Sequence, residues 1–381
     1  MSLRSRGDPS ACASIRSVAR TVRAGVFPGD GTFDVREFPA PEPPPAGAVL
    51  AVEAVGLCGS DLAQLDGVKD VPGQQYPVVP GHEIVGRIAA ITPEAAKEWN
   101  LAEGDRVCVD EIVRCGSCAG CRGGSFCWNM QLYGYTMSID DGPGLWGGYG
   151  EQMAVLPGTN LHKVPTDIAA VELTMFEPLA SAVNWVQRVG VQLGDTVVVQ
   201  GPGHQGLACV MAARAAGATK VIVTGTSSDG LRFEAARALG ADETIDVEAE
   251  NPGARVAELT GGQMADVVMD VAAVTTATVP LAVDLATMNG RVLLAGLKLH
   301  KPVEGLVSDM IVLKSLTVVG GAGFTPASMR TAVDLLVTGR VDRSVLLGDV
   351  VTLDTLGEGL DLLARRIDGR DSVHVSLSLT A

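Results

Sequence analysis

The chain has 381 residues, 47% hydrophobic and 19% charged, with 29 Lys and Arg against 44 Asp and Glu, for a net charge of −15. That length exceeds one ordinary core and predicts two domains, and the composition is that of a folding chain rather than a disordered one. So acidic a surface repels phosphate backbones and anionic lipid, which argues against nucleic acid and membrane partners, and no uninterrupted apolar run is long enough to span a bilayer.

Residues 1–20 are rich in Arg and Ser but lack an apolar stretch, so they are expected to be a terminal tail rather than a secretory signal, with a mitochondrial presequence as the alternative. From about residue 21 to 165, Val-containing runs separated by Gly and Pro predict strands: AVLAVEAVGLC, GHEIVGRIAAI and DRVCVDEIV. Two motifs accompany them. Cys58-Gly59-Ser60-Asp61 closes the first strand, and Gly81-His82-Glu83 opens the second, His82 lying 24 residues after Cys58. Of the five histidines, His162, His300 and His374 read as packing or surface residues, whereas His82 is set apart by its Gly and Glu neighbours.

Four of the eight cysteines, Cys115, Cys118, Cys121 and Cys127, crowd into C-x2-C-x2-C-x5-C, while Cys12, Cys108 and Cys209 are scattered. Such clustering reads as metal ligation in a reducing compartment, the cytoplasm by default, rather than as disulfides. Four thiolates so close can complete a tetrahedral zinc site, closed and therefore structural. An iron–sulfur cluster is the rival, but the last spacing fits it poorly and no proline follows.

Past about residue 170 the pattern changes. VELTMFEPLASAVNWVQRVG has helical spacing and carries Glu177-Pro178, and DTVVVQG reads as a buried parallel strand. A helix over 206–216, the strand KVIVTG, a helix over 231–239 and the strands ADVVMDVA, GRVLLAGL and SLTVVGG follow. Strands alternating with helices predict a doubly wound parallel sheet, the α/β class. A helix over 326–338 and a β-rich tail then resume the pattern of the first half. The expected organisation is a nucleotide domain over 181–319 inserted into a β-rich domain over 21–180 that 320–381 completes.

Gly201-Pro202-Gly203-His204-Gln205-Gly206 is a G-x-G-x-x-G between the strand TVVVQ and a helix, the context in which glycines admit a pyrophosphate to a helix N-terminus. The acid expected at the end of the next strand to bind ribose hydroxyls is missing. That strand ends Gly225-Thr226-Ser227-Ser228, which removes the charge that would repel a 2′-phosphate and leaves Arg232 close enough in sequence to hold one. NADP is favoured on this reading, with NAD left open because Asp229 could supply the acid through the loop.

Together, the cysteine elbow, GHE, the four-cysteine lobe, Glu177-Pro178-Leu179-Ala180 and the glycine loop come in one order, and from residue 21 onward the chain resembles the zinc-containing medium-chain dehydrogenases, the polyol and threonine dehydrogenase branch most closely. The resemblance implies a GroES-like β-domain joined to a Rossmann domain, with a catalytic zinc and a small-molecule alcohol in the cleft. It makes Cys58 and His82 zinc ligands and gives the third place to Glu83 or Glu177, the fourth position staying open for substrate. Asp61 would orient His82, Ser60 would relay the hydroxyl proton, and Ala295-Gly296-Leu297 with the loop around Gly321 would line the nicotinamide. Gly201, Gly203, Gln205 and Gly206 would take the pyrophosphate, and Gly225, Thr226 and Arg232 the ribose end.

Two departures bear on substrate. Ala63 stands where many relatives finish the proton relay with a histidine, so the proton would leave through water, Gln64 or a cofactor hydroxyl. Sorbitol dehydrogenases grip substrate with an Arg–Tyr pair where this chain has Gly321-Ala322-Gly323-Phe324, which points to another secondary alcohol, an amino alcohol or a cyclitol. An NADPH-dependent carbonyl reductase and a non-catalytic zinc-binding scaffold are the alternatives. A homodimer or homotetramer is implied by the resemblance.

Overall fold

The computed structural model describes residues 20–380 apart from 125, 126 and 130; Cys12 and the expected tail before Arg20 lie outside them. The valine-rich runs of the second half form one six-stranded sheet in the order Glu243–Asp246, Lys220–Gly225, Thr196–Gln200, Ala265–Asp270, Ala286–Leu294, Thr317–Gly320. Numbered along the chain this is 3-2-1-4-5-6 with every pairing parallel, the doubly wound nucleotide-binding order. Both faces of this sheet are covered, which is why its strands read as continuous apolar runs. Val197, Val199, Val221, Val223, Val267 and Met269 face one core, and Val198, Ile222, Val268 and Val292 face another.

Helices Phe176–Val189, His204–Ala215 and Pro326–Val337 pack together over the first of those faces. The second takes Pro252–Leu259 and Thr278–Leu285. Sequence periodicity misses these two helices because each carries a proline in its first turn, Pro252 or Pro280, where a missing N–H costs nothing. It also misses the strand Glu243–Asp246, in which only Ile245 is buried. The expected strand 290–297 ends at Leu294, so Ala295, Gly296 and Leu297 form a loop at the carboxyl edge of the sheet.

The first half forms an eight-stranded sheet built around Ala48–Leu57, Glu83–Ile91 and Arg106–Val113, with Gln152–Val155 and Thr159–Lys163 pairing onto it. The C-terminal strand Val375–Ser378 joins it antiparallel to Ala48–Leu57, so the last residues complete the first sheet and the nucleotide sheet is an insertion. Helix Phe176–Val189 runs between the two halves, with Leu179, Ala180 and Ala182 fully buried. Among the described residues, no helix is long and apolar enough to cross a membrane.

Leu179 touches the core where that helix meets the nucleotide sheet. Leu179→Ala is expected to cost about 2–5 kcal/mol through transfer loss and residual cavity; urea unfolding followed by circular dichroism checks it.

Candidate active site

Antiparallel register assembles the site. Gly56 pairs with Glu83 and Leu57 with Val375, so Cys58, just past one strand, comes beside His82 and Glu83 at the start of its neighbour. Gly56 is required there, because a Cβ would overlap the Glu83 carboxylate. Gly81 of the GHE motif has φ +91°, a left-handed conformation, and any Cβ on it would strike the Tyr149 ring.

Asp61 opens the short helix Gly59–Leu65, its Oδ2 accepting from the Cys58 N–H at 2.9 Å and from the Tyr149 hydroxyl at 2.8 Å. Its other oxygen lies 3.6 Å from His82 Nδ1, beyond hydrogen-bond reach. The hydrogen-bond partner of that nitrogen is Tyr135, whose hydroxyl is 3.2 Å away and also 2.9 Å from Ser60 Oγ. The orienting role expected of Asp61 is thus shared with a tyrosine that no motif announces. Gln64, offered as a proton exit, is buried with its amide donated to Gly134 O at 2.6 Å.

His82, Glu83 and Glu177 bring one ligand atom each within 4.8 Å of one another, and Cys58, Glu83 and His204 do the same. Glu83 belongs to both groups. It is fully buried, and neither of its oxygens has a hydrogen-bond partner, whereas Glu177 Oε1 accepts from the Ser181 hydroxyl at 3.0 Å. Glu111, also buried and with an unpartnered oxygen, faces the same region. Burial and then the neighbouring Cys58 thiolate drive the Glu83 carboxyl well above the usual range, and burial pushes Asp61 up to about 6. Against its own burial, Cys58 is pulled well below the ordinary thiol range by hydrogen bonds with His204 and His82. A thiolate beside carboxyls that must otherwise hold protons is the donor set of a divalent cation, which replaces those protons. The orphaned oxygens of Glu83 meet that requirement.

In the four-cysteine lobe the four Sγ atoms all lie within 4.8 Å of one another. A tetrahedral Zn–S4 centre puts sulfurs about 3.8 Å apart; Cys115 and Cys121 stand at 4.0 Å. Backbone N–H groups of Cys118 and Cys121 donate to the sulfurs of Cys115 and Cys118 at 3.4 and 3.3 Å, and Trp128 N–H adds a second bond to Cys118 at 3.4 Å. The Ser117 hydroxyl and the backbone N–H groups of Ser117 and Cys118 hold the Cys115 thiol down at about 6.

At the glycine loop the three glycines divide the work. Gly201 turns with φ +99°, Gly206 packs so tightly that a Cβ would overlap the Gly201 carbonyl, and Gly203 faces open space, the place where a pyrophosphate can approach the backbone. Gln205 donates its side-chain amide to Pro178 O at 2.9 Å, which ties the loop to helix Phe176–Val189. Ala295 and Gly296 both donate their N–H groups to Asp270 O, at 2.9 and 3.0 Å, which turns that loop over the carboxyl end of the sheet. Leu297 is exposed there.

The ribose end departs from expectation. Arg232 is mostly buried, its guanidinium bonded to the Asp371 carboxylate at 3.0 Å and the Ser372 carbonyl at 3.2 Å, which leaves it committed to the C-terminal segment. Asp229 caps its own turn, accepting from the Thr226 N–H at 2.8 Å and hydroxyl at 2.9 Å, and a Cβ on Gly225 would crowd it. The cation closest to Asp229 is Arg365, which pairs with it and donates to the Ser228 hydroxyl at 3.2 Å. It comes from 137 residues away, so sequence spacing could not have found it.

Two family models match the chain: an alcohol dehydrogenase GroES-like domain over residues 44–166 and a zinc-binding dehydrogenase over 206–338. A probable alcohol dehydrogenase of Mycobacterium tuberculosis is 38% identical over 361 residues, covering 93% of this chain and 97% of that protein. An erythritol/L-threitol dehydrogenase of Mycolicibacterium smegmatis is 33% identical over 372 residues, 94% and 98% of the two chains. A structure from Sinorhizobium meliloti 1021 solved with NADP bound superposes with a TM-score of 0.82 at 27% identity, covering 94% of this chain and 99% of that one. Fold and site define a two-domain dehydrogenase. The chain belongs to the zinc-containing medium-chain alcohol dehydrogenase family and is an oxidoreductase acting on alcohols.

Tyr135→Phe removes the hydroxyl between Ser60 and His82 while keeping the ring. Steady-state kinetics are expected to record a fall in kcat/KM of about tenfold, roughly 1.4 kcal/mol of transition-state stabilisation, with an unchanged circular dichroism spectrum.

Proposed function

We propose that the protein oxidises a small secondary alcohol of the polyol, amino alcohol or cyclitol type with NADP, using one catalytic and one structural zinc per chain. The observation that carries the reading is the buried, unpartnered Glu83 carboxylate between Cys58, His82 and Glu177. Cys58, His82 and Glu83 would hold the catalytic metal. Glu177, already engaged by Ser181, would stand behind it. Cys115, Cys118, Cys121 and Cys127 would hold the structural one. Residues 181–319 are taken as the nucleotide domain and 21–180 with 320–381 as the catalytic one.

When bound, the zinc polarises the substrate oxygen and lowers its hydroxyl pKa, and the nicotinamide takes the hydride. Ser60 is positioned to receive the hydroxyl proton, and Tyr135 fixes the direction in which its hydroxyl points. His82 Nδ1 is engaged by the Tyr135 hydroxyl, which would leave Nε2 for the metal. The open backbone at Gly203 receives the pyrophosphate. Thr226, Ser227, Ser228 and Arg365 offer hydroxyls and a guanidinium to a 2′-phosphate, the chemistry Arg suits best. Phe324, buried where the sorbitol-type relatives place polar groups, favours a substrate other than sorbitol. Exposed Val312, Leu313 and Val318 beside the edge strand Thr317–Gly320 suit a homodimer that extends the sheet. Unpaired thiols at Cys108 and Cys209 suit a cytoplasmic setting.

A spectrophotometric panel of tetritols, sorbitol, amino alcohols and cyclitols with NAD and NADP tests the reading. Turnover with a tetritol, amino alcohol or cyclitol above sorbitol, and a higher kcat/KM with NADP, is expected; a clear preference for sorbitol or for NAD overturns the corresponding half. Arg365→Ala should narrow the NADP preference by about ten- to a hundredfold, the worth of a charge-assisted hydrogen bond to phosphate. Elemental analysis should find two zinc ions per chain. Cys121→Ser should lose one of them and lower the melting temperature, because the lobe has little core of its own.

A further inference from the structure

His204 is the first of the two residues between the second and third glycines of the phosphate loop and the first residue of helix His204–Ala215. A plain phosphate loop has no use for an imidazole there. Its Nε2 nevertheless lies 3.7 Å from Cys58 Sγ, a residue 146 positions before it and in the other sheet's domain. It also groups with Cys58 and Glu83, the three donor atoms all within 4.8 Å of one another. Zinc–sulfur and zinc–nitrogen bonds of about 2.3 and 2.05 Å meeting at the tetrahedral angle separate sulfur and nitrogen by about 3.6 Å. The observed separation, that of a direct sulfur–imidazole hydrogen bond, is also one that a metal bound by both residues accommodates.

With Cys58, His82 and Glu83 as the three protein ligands proposed for the catalytic metal, the fourth position is left for substrate. We infer that in the cofactor-free enzyme His204 fills that fourth position, so the phosphate loop itself caps the catalytic metal. Nucleotide binding then uncaps it. The pyrophosphate settles on the backbone at Gly203 and on the first N–H groups of the His204 helix, displacing the turn that carries the imidazole. With the Nε2 lone pair withdrawn, the fourth position would be open to a neutral substrate oxygen, one neutral donor exchanged for another. The fold brings the two events together because Gln205, the next residue, ties the loop to Pro178, one residue beyond Glu177.

The inference rests on the proposed catalytic metal, and the experiment separates the two. Cobalt would replace zinc at the catalytic position in the wild type and in His204→Asn, leaving zinc in the four-cysteine lobe. The visible absorption of the cobalt and the rate of metal loss to a chelator would be followed without nucleotide and with NADPH. In the wild type, NADPH is expected to change the cobalt spectrum and speed metal loss. Without nucleotide, His204→Asn should lose the metal at least about tenfold faster than the wild type, as losses of metal-supporting groups do, and its spectrum should resemble that of the NADPH-bound wild type. Equal spectra and release rates in wild type and variant would overturn the His204 ligand while leaving Cys58, His82 and Glu83 in place. A wild type that takes up no metal beyond the four-cysteine lobe would overturn both readings. Should the variant fold poorly, a wild-type cobalt spectrum unchanged by NADPH and by NADH is enough to reject the uncapping.

Discussion

Gly56 faces Glu83 across an antiparallel pair, and the chemistry of the molecule grows from that contact. Because residue 56 has no side chain, the carboxylate of Glu83 can lie in the space a Cβ would take, buried and without a hydrogen-bond donor. An isolated buried carboxylate is too costly to persist ionised, so the position calls for a proton or a cation. Cys58 on one side and His82 on the other turn that demand into a set of metal donors. Asp61, Tyr135 and Tyr149 then hold those donors in place through their own hydrogen bonds.

The insertion of the nucleotide sheet serves the same point. Strands Thr196–Gln200 and Ala265–Asp270 lie side by side where the strand order reverses, and the crevice at their carboxyl ends is where dinucleotides bind. Helix Phe176–Val189 brings Glu177 in its first turn to the metal donors and packs its later turns on the nucleotide half. The loop and the metal site are therefore not two modules that happen to adjoin. They share a helix, a Gln205–Pro178 hydrogen bond and the approach of His204 to Cys58.

At the far corner the chain's C-terminal segment closes a second seam. Arg232 and Asp229 on the nucleotide side meet Asp371 and Arg365 from that segment in a continuous run of ion pairs. With two cations and two carboxylates partly shielded from solvent, the cluster orders several side chains at once, which costs less conformational freedom per pair than isolated bridges do. Within it Arg365 approaches Asp229 more closely than Arg232 does.

Local chemistry is legible along the chain. Cys58, His82, Glu83, Glu177, the four lobe cysteines and the three loop glycines stand out because each sits in a short motif whose spacing its chemistry demands, and the doubly wound sheet stands out because buried parallel strands leave unbroken apolar runs. Tyr135, Glu111 and Arg365 carry no such mark. Each is a common residue in an ordinary local setting, and its importance arises only when strand register and helix packing bring it to an element far along the chain. Sequence by itself determined which donors exist and which loop can accept a phosphate. Tertiary structure decided which donors meet, because proximity between residues far apart in the chain is a property of register and packing, and no local pattern encodes it.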